Sequence, residues 1–171
     1  MLETSKADHA ASYRIGGVML FGAAVSILAA LGFQYIGGFD PCALCLTQRY
    51  AYYAAIPALF LAMALACEKP KLAGFVFLLV AIGFLANAGL GTYHAGAEWK
   101  FWPGPATCSG GAAGLPTSAE DMLKGMENRV VRCDEASWRM FGLSFAGWNV
   151  LISLALFGLG LRAATSSAQG N

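Results

Sequence analysis

Two cysteines three residues apart open the chemistry of this chain. Cys42 and Cys45 stand in Phe39-Asp40-Pro41-Cys42-Ala43-Leu44-Cys45, directly before an apolar run. Asp40 suits a helix N-cap and Pro41 the first helical position, so the pair is expected in the first turn of a helix. That spacing puts both sulfurs on one face, close enough to bridge. The exposed amides and the positive end of the helix dipole favour a thiolate there, and a thiolate is the attacking species in disulfide exchange. Arg49 follows Cys45 by one helical turn on the same face. An arginine inside a membrane span is costly and marks function. It could hold a Cys45 thiolate or an electron acceptor gaining negative charge. The other reading is an arginine snorkelling to the headgroups, and the neighbouring Cys-x-x-Cys favours the first.

Five cysteines occur in all, at 42, 45, 67, 108 and 133. Cys108 and Cys133 flank a long segment, Cys108 within Gly104-Pro105-Ala106-Thr107-Cys108-Ser109-Gly110-Gly111. Alone, they would read as a stabilising bridge across a loop; beside the first pair, two dithiols suggest a relay. His94 stands where it could tune or protonate an acceptor. Cys with His also raises zinc, but metal sites gather closer ligand pairs than these, and no metal is expected. Cys67 reads as a small apolar residue without a redox role.

The elements that must position these residues follow from composition. The chain has 171 residues, 57% hydrophobic and 12% charged, against about a quarter charged in soluble domains. A net charge of +1 gives no basic face for nucleic acid. A hydrocarbon core of about 30 Å needs roughly 20 apolar residues in a helix. Four stretches qualify: about 15–36, 45–66, 72–93 and 141–161. Backbone in lipid must satisfy its own hydrogen bonds, so the expected fold is an all-α membrane protein, a four-transmembrane-helix bundle forming one domain over 1–171. The first run is too long for a signal-peptide core and is read as an uncleaved span. Small residues in all four let helices approach closely.

The connections are unequal: a short first loop over 37–41, a tight charged turn at Glu68-Lys69-Pro70-Lys71, and a long loop over about 94–140. In that loop, Thr117-Ser118-Ala119-Glu120 reads as a capping box. Met122, Leu123, Met126 and Val130 follow at helical spacing, which suggests a short amphipathic surface helix, on the membrane or packed on the bundle. Trp99, Phe101 and Trp102 suit an interfacial aromatic belt. Four spans put both termini and the Lys69/Lys71 turn on one side. Lysine and arginine counts tie between the two sides, but two lysines in one short turn favour a cytoplasmic terminal side. Four cysteines gathered on the opposite side imply an oxidising, periplasm-like compartment.

These residues resemble the disulfide bond formation protein B (DsbB) family, quinone-dependent oxidases of bacterial inner membranes. The resemblance spans about residues 12–162 and rests on four spans, Pro41-Cys42-x-x-Cys45, Arg49 and the two long-loop cysteines. Tyr93-His94-Ala95-Gly96-Ala97-Glu98, Trp102-Pro103-Gly104-Pro105 and Val131-Arg132-Cys133-Asp134-Glu135 add to it. It implies that a reduced DsbA-like periplasmic thiol oxidase attacks Cys108 of a Cys108–Cys133 disulfide. Cys133 then exchanges with the first pair through a transient Cys42–Cys133 bridge. Cys45 is left as a thiolate beside ubiquinone or menaquinone, with Arg49 supporting the developing charge and two electrons entering the membrane quinone pool. The rival class is a four-span structural or interaction protein with a disulfide-stapled loop. A vitamin-K-epoxide-reductase-like enzyme would carry its active Cys-x-x-Cys after the second pair, the reverse of the order here.

Overall fold

The structure, a computed structural model, describes residues 2–104, 133–134 and 136–169. Among the described residues four long helices carry the fold: α1 Leu2–Tyr35, α2 Ala43–Leu65, α3 Pro70–Glu98 and α4 Phe145–Gln169. They pack as a ring in which α3 lies mainly against α4 and α2, and α1 closes against α4 and α2. The shared core runs through Met19, Leu59, Phe77, Phe84 and Leu156. Large apolar side chains also cover the outside, Phe21, Phe60, Phe75 and Leu151 among them, as expected where the surrounding solvent is hydrocarbon rather than water.

Close approach between helices depends on small residues. A Cβ on Gly160 of α4 would stand 2.9 Å from Ala81 Cβ on α3, and one on Gly91 of α3 would stand 2.9 Å from Val150 Cγ2 on α4. At these points of the α3–α4 seam a bare glycine backbone receives a side chain of the facing helix, the close packing lipid-embedded helices use.

Among the described residues, three helical segments are long and apolar enough to cross a membrane: Ala10–Tyr35, Pro70–Glu98 and Phe145–Gln169. α2 is not among them, because Gln48, Arg49 and its tyrosines lower its hydropathy. Of these, Gln48, Arg49 and Tyr52 line the site below.

Helix boundaries depart from the apolar runs for local reasons. α3 starts at Pro70, with Lys69 as its N-cap, matching the charged turn read from sequence. It then runs past residue 93 to Glu98, so His94 sits inside the helix rather than at its end. It stops in a Schellman motif: Lys100 N–H donates to Ala97 C=O and Phe101 N–H to Gly96 C=O, with Lys100 at φ 62°. α4 starts at Phe145 rather than near 141. A two-residue turn at Phe141-Gly142, φ 53° and 82°, joins β1 Arg139–Met140 to β2 Leu143–Ser144 in an antiparallel hairpin. Ser144 Oγ then caps α4 by accepting the Gly147 N–H at 3.3 Å. The capping box and surface helix expected over 117–130 lie outside the described residues.

Candidate functional site

Cys42 is the N-cap of α2, a place the sequence assigned to Asp40. Its sulfur accepts the Cys45 backbone N–H at 3.3 Å, and the two sulfurs share a hydrogen bond at 3.1 Å. A cap must accept an orphan helix N–H, and here the acceptor is the reactive atom itself. His94 Nε2 lies 3.6 Å from the same sulfur. Hydrogen bonding from the Cys45 thiol, joined by the His94 ring and the Cys45 amide, outweighs burial and brings the Cys42 pKa down to about 4. The start of α2 thus favours the thiolate form of Cys42.

His94 is 2% exposed and its ring is fixed from behind. Tyr52 OH donates to Asn149 Oδ1 at 2.7 Å, Asn149 Nδ2 to Gln48 Oε1 at 2.8 Å, and Gln48 Nε2 to His94 Nδ1 at 3.1 Å. Asn87 joins the chain through Asn149 Oδ1 and Ser153 Oγ. With Nδ1 accepting, the proton resides on Nε2, the nitrogen that faces Cys42. This network ties α2, α3 and α4 together, and the sequence reading missed it. The available signal was polar residues inside apolar runs, Asn87, Asn149 and Ser153, which need partners in lipid. Glu98 was also missed as a site residue: Oε1 is 3.7 Å from His94 Nε2, while Oε2 is buried without a hydrogen-bond partner among the described residues.

Arg49 donates to Gln34 Oε1 and, at 3.4 Å, to the Ala30 carbonyl on α1. Among the described residues its partners are these rather than Cys45. They do not exhaust the guanidinium fork. Arg49 still lines the same cavity as both cysteines, a space of about 350 Å³ also walled by Phe33, Phe39, Trp138 and Phe145. Those four rings pack on one another at centroid distances of 5.0 to 6.2 Å. Trp99, Phe101 and Trp102, the expected belt, lie outside the cavity lining and are exposed. Trp102 stacks on Tyr93 and donates to its carbonyl at 2.9 Å. The turn of α3 beneath it must be Gly96, since a Cβ there would overlap the indole ring.

Cys133 is disulfide-bonded, whereas Cys42, Cys45 and Cys67 carry free thiols. Its sulfur is buried against Cys42: the Cys42 Sγ, Cys133 Sγ and His94 Nε2 atoms all lie within 4.8 Å of one another. Lys100 Nζ pairs with Asp134 Oδ2 at 2.7 Å and pins this segment to the end of α3. Of the sequence-derived site residues, Cys42, Cys45, Arg49, His94 and Cys133 therefore converge. Cys108 lies outside the described residues. Cys67 is exposed just beyond the far end of α2.

A helical bundle of membrane character, with a free cysteine pair held against a disulfide at one end, defines a membrane protein of disulfide chemistry. The comparisons make that class specific. The family model described as Disulfide bond formation protein DsbB matches residues 13–163, and the chain belongs to that family. Disulfide bond formation protein B of Methylococcus capsulatus is 31% identical over 145 residues, covering 80% of this chain and 84% of the relative. The Aeromonas salmonicida protein of the same name is 30% identical over 148 residues, 85% of this chain and 84% of the relative. That of Neisseria meningitidis serogroup B is 30% identical over 151 residues, 81% and 86%. No solved structure matches the chain significantly.

Proposed function

We propose that this protein is a quinone-dependent protein-disulfide oxidase that reoxidises a DsbA-like periplasmic dithiol partner. The observation that carries the reading is the approach of the Cys42 sulfur to disulfide-bonded Cys133 at the edge of an aromatic cavity.

The partner's thiolate attacks Cys108, and Cys133 leaves with the electron pair. Cys133 exchanges with the Cys42–Cys45 pair in its oxidised form through a Cys42–Cys133 bridge, which leaves the electron pair on Cys45. His94 Nε2–H faces the Cys42 sulfur and stabilises charge there, its tautomer held by Gln48. Cys45 and Arg49 line the cavity together, so the guanidinium stabilises negative charge that gathers beside Cys45. A cavity of about 350 Å³ falls in the usual range of small-molecule sites, and flat aromatic walls with one cation suit a quinone ring. Ubiquinone or menaquinone supplies, when bound, a two-electron, two-proton acceptor that leaves as quinol. The partner's second thiolate displaces Cys108 and leaves as the oxidised partner. Cys108 displaces Cys42 from Cys133 and restores the Cys108–Cys133 disulfide, and the freed Cys42 sulfur bonds to Cys45 as the electron pair leaves Cys45.

The same reading makes residues 1–171 one inner-membrane domain with α2 as the fourth span, both termini cytoplasmic and the cysteine loops periplasmic. Gln48 and Arg49 are accommodated in α2 because their partners are Asn149, His94, Gln34 and Ala30 within the bundle.

Thiol alkylation of the mildly reduced, purified protein tests the proposal. Quinone alone should restore disulfides among Cys42, Cys45, Cys108 and Cys133 while Cys67 stays alkylatable. Thiols that remain reduced with active quinone present would instead assign the cysteines to a structural staple.

A further inference from the structure

The trio that performs exchange has a second property. Cys42 Sγ, His94 Nε2 and Cys133 Sγ are buried and mutually within 4.8 Å, with the sulfur–nitrogen pair of Cys42 and His94 at 3.6 Å. Zinc bonds sulfur at about 2.3 Å and imidazole nitrogen at about 2.0 Å, so neighbouring ligands in a tetrahedral site stand roughly 3.5–3.8 Å apart. Cys42 and His94 already hold that spacing, and Cys133 needs to move by about an ångström at most. These three residues are far apart in the chain, which is why ligand spacing along the sequence gave no sign of them.

While Cys133 is in a disulfide it has no thiolate to offer, and the site is closed. We propose that opening this disulfide creates a binding site for a soft divalent cation, Zn²⁺ or Cd²⁺, on Cys42, His94 and Cys133. A dithiol protein opens it by supplying two electrons and two protons: its own thiols become a disulfide, and Cys133 and its bonded sulfur become thiols. Metal binding then releases the ligand protons to water. Coordination through Nε2 requires the His94 proton on Nδ1, and the Gln48 amide presents its carbonyl oxygen to receive it by turning over together with Asn149, whose Oδ1 then accepts from Gln48. Glu98 supports the assignment independently. Its buried Oε2, unpartnered among the described residues, and an Oε1 3.7 Å from Nε2 place a carboxylate where it can hold a water in the fourth position. The consequence is arrest: a metal on Cys42 and Cys133 occupies both sulfurs that must exchange. Only that consequence rests on the proposed function; the binding itself does not.

The test is Cd²⁺ titration of the full chain in detergent, read by the ultraviolet thiolate-to-cadmium absorption band. Protein reduced with a phosphine should bind one equivalent that the oxidised protein does not. A Cys45→Ala, Cys67→Ala, Cys108→Ala variant, reduced likewise, should keep that site. Adding His94→Gln should weaken it at least tenfold, and adding Cys133→Ser should abolish it. Loss of binding in the folded triple variant, or unchanged affinity with His94→Gln, overturns the proposal. Should the triple variant fail to fold, protection mapping of reduced wild type decides. Zn²⁺ should shield Cys42 and Cys133 from alkylation but not Cys45 or Cys108, and the opposite pattern overturns it. Quinone-driven reoxidation measured without metal reports separately on the function itself.

Discussion

Cys42 and Cys67 bracket the same helix and have opposite surroundings. Cys42 caps the N-terminus of α2, is 5% exposed, and meets an amide, a thiol and an imidazole within 3.6 Å. Cys67 lies beyond the C-terminus, exposed to its surroundings. The helix end matters as much as the neighbours: amides at the first turn stabilise an anion, whereas carbonyls at the last turn oppose one. A cysteine's chemistry in this protein is set by which end of a helix it occupies and what the adjoining helices aim at it.

That contrast can be broken most severely at the sulfur. Cys42→Ser should reduce quinone-dependent reoxidation of a dithiol partner by about a thousandfold or more, while Cys67→Ala should leave it unchanged. Next in size is Arg49→Ala, expected to raise the quinone concentration for half-maximal turnover by about ten- to a hundredfold, the weight of one charge-assisted hydrogen bond. Equal quinone dependence would remove Arg49 from the acceptor site. The pH profile sharpens the comparison. Alkylation of Cys42 by a small reagent should fall only as pH drops through about 4, because the thiolate persists above that value, and His94→Ala should move the midpoint upward. The same sign holds for stability of the reduced protein. A folded-state value lowered to about 4 contributes fully above the ordinary thiol range and is lost progressively as pH falls towards 4. The smallest effect is expected at Asn149→Ala, which strands Tyr52 and Gln48 and should cost about 1–3 kcal/mol in thermal unfolding.

Much of this site was legible because its signals are short-range. Cys42-x-x-Cys45, Arg49 one turn on, and the apolar runs each declare themselves within a window of the chain. The cap was misassigned because Asp40 is the better capping residue by type, whereas the structure uses the sulfur of Cys42. The start of α4 was misplaced because Phe141 is apolar; the hairpin and the Ser144 cap follow from φ values that hydropathy does not report. The polar network and Glu98 were missed for a different reason. Gln48, Asn87, Asn149 and His94 acquire meaning only once three helices are packed together, and no periodicity encodes that. The four-ring cavity wall, drawn from Phe33, Phe39, Trp138 and Phe145, is likewise a product of tertiary assembly.

The ion pair between Lys100 and Asp134 has a kinetic consequence. By tethering the residue next to Cys133 to the end of α3, it raises the effective molarity of Cys133 around Cys42 above what the connecting chain alone provides. Lys100 is 60% exposed at its side chain, so this tether is open to ionic screening. The local concentration of Cys133 around Cys42 should therefore decline as the salt outside the membrane rises, making the internal exchange rate a readout of ionic strength while the chemistry at sulfur stays the same.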